Sequence, residues 1–148
     1  MADAAPLLAP GIHRMTEAEL EALAVSAFGA SVRRPVLHRQ FVGWLNALRA
    51  ANVSGPCWLD GSFLTAKLDP NDIDLVLFPS LLVPPTPALH MTIGPLFDQA
   101  LVKAQFGLDL YLVDPGAANV MEMTSYWRGW FGFCRDGVTA KGIAEVML

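Results

Sequence analysis

Charge is scarce in this chain. Only 16% of its 148 residues are Asp, Glu, Lys or Arg, whereas 53% are hydrophobic. That composition excludes an intrinsically disordered protein, which needs low hydrophobicity and high net charge. Positive charge is scarcer still: 10 Lys and Arg face 14 Asp and Glu, for a net charge of −4. Bulk electrostatic binding of DNA or RNA is thereby excluded. The local basic cluster of Arg33, Arg34, His38 and Arg39 reads as the solvated face of a helix. Cysteine is nearly absent too. Cys57 and Cys134 have no CxxC spacing, which excludes a structural zinc site and leaves two buried free thiols as the expectation. The opening MADAAPLLAPG lacks the basic region and long apolar core of a secretory signal. Leu75–Phe97 has no Asp, Glu, Lys or Arg, but Pro79, Pro84, Pro85, Pro87 and Pro95 punctuate it. In lipid that broken backbone would go unsatisfied, so a membrane span is excluded and a cytoplasmic protein expected.

What is present suits one domain over residues 15–148, preceded by a flexible arm over 1–14. Thr16 and Glu19 have capping-box spacing, and Leu20, Leu23, Ala24, Ala27 and Phe28 recur at helical period up to Gly29. A second helix starts near Pro35, with Leu37, Phe41, Trp44, Leu45 and Leu48 as its core stripe. Cys57–Asp60 reads as a short strand ending at Gly61-Ser62, and Ile73–Phe78 as a strand buried on both faces. A third helix is expected to open at Gly94-Pro95, with Leu96, Phe97, Ala100, Leu101 and Ala104 inward and Gly107 as its end. Leu108–Val113 is a third strand. Arg135-Asp136-Gly137 turns into a last strand near Ile143–Met147. Trp127, Trp130 and Phe131 fit a core or dimer contact better than base stacking.

The chemistry gathers around Asp72 and Asp74. Side chains two apart on a strand share a face, and two adjacent carboxylates repel unless a cation lies between them. Mg²⁺ takes such hard oxygen ligands together with substrate phosphates. Asp109, flanked by apolar residues near the start of another strand, offers a third carboxylate and with it a two-ion arrangement. Asp114 competes for that role, though Asp114-Pro115-Gly116 reads as a turn. Gly61-Ser62 would present amides and a hydroxyl to phosphate oxygens.

The order of strand, Gly61-Ser62, a gap of about ten residues, Asp72-Ile73-Asp74 and a later strand with Asp109 resembles the nucleotidyltransferase superfamily, which includes DNA polymerase beta and the minimal nucleotidyltransferases. Trp58-Leu59-Asp60-Gly61-Ser62-Phe63 with Pro70-Asn71-Asp72-Ile73-Asp74-Leu75-Val76 is similar to a family of small uncharacterised bacterial and phage proteins. Phe131-Gly132 and Lys141-Gly142-Ile143 extend that likeness over most of the chain after Gly11. The resemblance implies an α+β fold, a mixed sheet with helices mainly on one side. It implies Mg²⁺ on Asp72, Asp74 and Asp109, and a nucleoside triphosphate with Gly61 and Ser62 at its phosphates. Phe63 stands where many minimal members carry a basic residue, so Lys67 or Arg135 would supply that charge. Asp60 precedes the glycine where the wider superfamily tends to be apolar, and would cap the helix starting after Ser62.

Rival readings fit less well. A haloacid-dehalogenase-type Asp-x-Asp needs an apolar strand before its first Asp, but Asp69-Pro70-Asn71 is a turn. An EF-hand starting at Asp69 would place Ile73 at a ligand position. A purely structural role would pair Asp72 and Asp74 with Lys67 or Arg135. His13, His38 and His90 share no ligand spacing, and Ser62 has no visible triad partners. The expected activity is transfer of a nucleoside monophosphate to a hydroxyl of an RNA, protein or small-molecule acceptor. The alternative is a nucleotidyltransferase-fold binding module, an antitoxin or phage-defence component that acts through a protein partner such as a toxin, or as a homodimer.

Overall fold

The computed structural model describes residues 3–148; Met1 and Ala2, the start of the expected arm, lie outside them. Strand β1 spans Gly11–Arg14, helix α1 Glu17–Glu21, α2 Arg34–Ala50, and strands β2 Val53–Ser54 and β3 Pro56–Asp60. After a 3₁₀ turn at Ser62–Leu64 come β4 Ile73–Leu77, β5 Ser80–Leu81, α3 Pro87–Phe97, α4 Gln99–Phe106, β6 Leu108–Leu112, α5 Val120–Phe131 and β7 Gly142–Met147. Five strands form a mixed sheet in the order β1-β7-β3-β4-β6, while β2 and β5 make a separate ribbon. The fold is α+β. β1 runs parallel to β7 and β4 parallel to β6; β3 is antiparallel to both its neighbours.

Period-2 alternation gives each face of this sheet its own core. Cys57, Leu59, Ile73, Leu75, Leu77, Leu108, Leu110, Ala144 and Val146 join the residues of α1 to α4 in one cluster. Trp58, Val76, Phe78, Val113 and Ile143 point the other way, onto Trp127 and Phe131 of α5. Helices thus pack mainly on one side. Leu37, Phe41, Trp44, Leu45 and Leu48 of α2 are all fully buried. Each contributes about 1.5–3 kcal/mol of transfer free energy. The Thr16–Glu19 capping box forms as its spacing predicts.

Four expectations need correction or completion. First, the arm is not loose: Leu7 N donates to Leu64 O, Ala66 N donates to Ala5 O, and β1 is an edge strand of the sheet. Second, α3 starts at Pro87 behind the Thr86 cap and carries Pro95 near its end, while Asp98 caps a separate α4. Leu96 and Phe97 pack against the core as expected and Ile93 and Val102 are buried there, but Ala100, Leu101 and Ala104 face solvent. Third, the aromatic stretch, for which the sequence pattern assigned no element, is helix α5; it buries Trp127 and Phe131 as expected of core residues but leaves Trp130 68% exposed. Fourth, the basic cluster is split. Arg33 and Arg39 stay toward solvent, but His38 is buried and Arg34 is fully buried.

Arg34 is buried because its donors are spent on the chain. Its guanidinium donates to the carbonyls of Ala24, Phe63, Thr65 and Lys67, at 2.8, 2.7, 2.6 and 2.6 Å. The Phe28 ring lies over it at 3.7 Å. The residues after Gly61 are thereby tied to the start of α2. Asp69 fastens the far end of the same loop, accepting from Ser31 Oγ and from the amides of Val32 and Arg33.

Candidate metal centre

Strand register builds the site. Asp60 of β3 pairs with Asp74 of β4, and Asp74 pairs with Asp109 of β6. Three acids therefore form a row across neighbouring strands, on the sheet face that α5 covers only in part. Asp72 joins from the residue just before β4. One oxygen each from Asp72, Asp74 and Asp109 lies within 4.8 Å of the other two. Gly61 closes the site from the β3 side. Its φ is +77°, and an added Cβ would collide with Asp74 Oδ2. Only glycine lets the backbone pass that close to the carboxylate.

The electrostatics are those of a crowded anionic site. Burial, then Asp72 and Asp109, then Asp60 push the Asp74 carboxyl up to about 7. Burial also raises Asp60 to about 6, against the pull of Lys141, whose Nζ is 2.9 Å from its Oδ2. Asp60 Oδ1 is buried and finds no hydrogen-bond partner among the described residues. Lys103, in the last turn of α4, donates to Asp72 Oδ2 at 2.6 Å and to Asp109 Oδ1 at 2.7 Å. Burial opposes its charge, but these bonds outweigh that and raise its pKa. Tyr111, two residues beyond Asp109 on the same face, has its phenol pushed up by burial and by Asp109 and Asp74. It stacks at 4.4 Å on Trp127 of α5, which roofs this side of the site.

Asp72, Asp74, Asp109 and Gly61 come together, and Ser62 follows Gly61 into the 3₁₀ turn. Asp114 goes elsewhere: it accepts from Gly116 N in its own turn. Lys67 is exposed and lends its carbonyl to Arg34. The Arg135 side chain is 94% exposed, and its partner is Asp3. Neither forms a described contact with the three carboxylates. Asp60 does not cap the turn after Ser62, which carries no side-chain cap; it pairs with Lys141 instead.

Lys103 escaped the sequence reading because its link to the acids is tertiary. It lies 31 residues from Asp72 and meets Asp109 around the bend at Gly107. Gly107, at φ +66°, ends α4 in the left-handed conformation and turns the chain into β6. Two clefts of about 550 and 510 Å³ lie away from the acids, one along Arg14–Glu19 and the other beside Asn52 and Thr86. Asp72, Asp74 and Asp109 are each half-buried.

The profile of one protein family matches residues 2–147. The chain belongs to the family described as Family of unknown function (DUF6932). No curated protein and no solved structure matches it. The DUF6932 description names no activity, so function rests on the chemistry of the site. Among the described residues no helix is long and apolar enough to cross a membrane.

Proposed function

We propose that this DUF6932 chain is a Mg²⁺-dependent nucleotidyltransferase. It would join a nucleoside monophosphate from a triphosphate to an acceptor hydroxyl. The observation that carries the reading is the convergence of Asp72, Asp74 and Asp109 within 4.8 Å, with Gly61 packed against Asp74. The donor set fits the ion: carboxylate oxygens are hard ligands, and the cluster carries more negative charge than Lys103 balances. Bound there, Mg²⁺ would neutralise phosphate charge and acidify the attacking hydroxyl.

The chain's own groups then divide the work. The acceptor oxygen attacks the α-phosphorus, pyrophosphate leaves, and Asp109 takes the hydroxyl proton. Gly61 and Ser62 orient the outgoing phosphates. Arg34, which touches no substrate, holds that loop by its carbonyls.

Calorimetric titration with a Mg²⁺–triphosphate tests the reading. The wild type should bind, and Asp72→Asn with Asp74→Asn should keep the fold and lose binding. Unchanged binding in the double variant refutes the site. Incubation with α-labelled triphosphates and cell extract should label an RNA, protein or small molecule.

A binding module acting through a protein partner is the second reading. The exposure of Met121 (82%), Trp130 (68%) and Val138 (81%) on α5 and the loop after it favours it. Nucleotide turnover by the isolated chain would favour the transferase.

A further inference from the structure

The acidic site contains a cation of the protein's own. Lys103 Nζ bridges Asp72 Oδ2 and Asp109 Oδ1 at 2.6 and 2.7 Å. Both carboxylates belong to the trio a divalent ion would need. Mg²⁺ requires oxygens at about 2.0–2.1 Å, and an ammonium on two of the same three carboxylates repels that ion and competes with it for their lone pairs. We propose that Lys103 is the resident counter-ion of this site and that a divalent cation binds by exchange with it. The inference rests on the metal-dependent reading of the same carboxylates.

The side chain is built to leave. It is 43% exposed, on a four-carbon stem at the solvent side of α4. Its backbone is held separately, because Gly107 N donates to Lys103 O. The ammonium can therefore swing away without unwinding the helix. Charge favours the exchange: a divalent ion balances two of the three carboxylates, and Lys103 only one. Asp74 is the acid that Lys103 does not reach.

An independent observation points to a ligand beside the trio. The Asp60 side chain is 5% exposed and stands opposite Asp74 in the sheet. Lys141 satisfies its Oδ2 and the Gly61 amide leans on the same carboxylate, but its Oδ1 completes no full hydrogen bond among the described residues. A stranded buried acceptor needs an explanation. A hydrated divalent ion on the neighbouring Asp74 would offer water donors beside this carboxylate, as carboxylates beyond a metal's direct ligands commonly require.

Mg²⁺ and Mn²⁺ alone, titrated calorimetrically into the full chain, test the exchange. Lys103→Met should bind either ion roughly tenfold more tightly than the wild type, since two partly exposed ion pairs no longer compete. Without metal the variant should melt lower, because Asp72 and Asp109 lose the cation they share. With saturating metal it should gain more in Tm than the wild type does. Lys103→Gln provides the same comparison if the Met variant fails to fold. Lys103→Arg, which keeps a competing charge, should show no tightening. Equal or weaker binding in the Met and Gln variants, with the wild type binding, overturns the exchange and leaves the metal site standing. Failure of every form to bind either ion overturns both.

Discussion

At the residue scale, Asp60 and Lys141 form an ion pair that is largely withdrawn from water. Their side chains are 5% and 13% exposed. Burial wins over Lys141, so the Asp60 carboxyl titrates near 6 rather than in the usual carboxylate range. An acid whose folded value is raised holds its proton longer in the native state than in the unfolded chain. Stability therefore falls as pH rises from about 4 to 6. Removing the lysine should widen that penalty. Lys141→Met should lose about 3 kcal/mol at pH 8, where Asp60 is left charged without its partner. At pH 5, where the carboxyl is neutral, the loss should be clearly smaller. Urea unfolding of both forms at the two pH values checks this, and equal losses would contradict the pair's role.

The loop after Gly61 is the element on which the site depends most, and Arg34 decides its shape. A single guanidinium satisfies carbonyls that would otherwise be stranded inside the protein. Arg34→Met should cost about 3 kcal/mol or more, since buried acceptors lose their donors. Arg34→Lys should rescue little, because an ammonium lacks the planar five-donor fork. Denaturant midpoints measure both. The rest of α2 was plain from its sequence: Leu37, Phe41, Trp44, Leu45 and Leu48 recur at helical spacing and all lie in the core. Arg34 and His38 sit on the same helix and were misread as solvated. Spacing marks which residues share a face; it does not reveal that loop carbonyls wait on the other side. α5 was missed for a related reason. Aromatic residues suit a strand as well as a helix, and only packing over Trp58, Val76 and Ile143 selects the helix.

Across the whole molecule, the N-terminal residues complete the sheet. β1 covers the free edge of β7, and Leu7 and Leu8 pack against the main core. Deleting residues 1–14 should uncover that edge and cost about 2 kcal/mol or more from the two leucines. An exposed β7 should also promote self-association. Thermal melting and size-exclusion chromatography would register both, and a monomer of unchanged Tm would contradict the arrangement.

Local pattern alone determined a good deal: the first two helices, the Thr16–Glu19 cap, the strands around Asp60, Asp74 and Asp109, and the turn at Gly61. Each follows from spacing, turn chemistry or steric freedom within a few residues. Tertiary structure decided which charges meet. The β3–β4–β6 register set Asp60, Asp74 and Asp109 in one row, the Gly107 bend carried Lys103 onto two carboxylates, and the hairpin before β7 returned Lys141 to Asp60. Those partners lie up to 81 residues apart in the chain. Electrostatic energy depends on distance in space, and only the folded sheet specifies that distance.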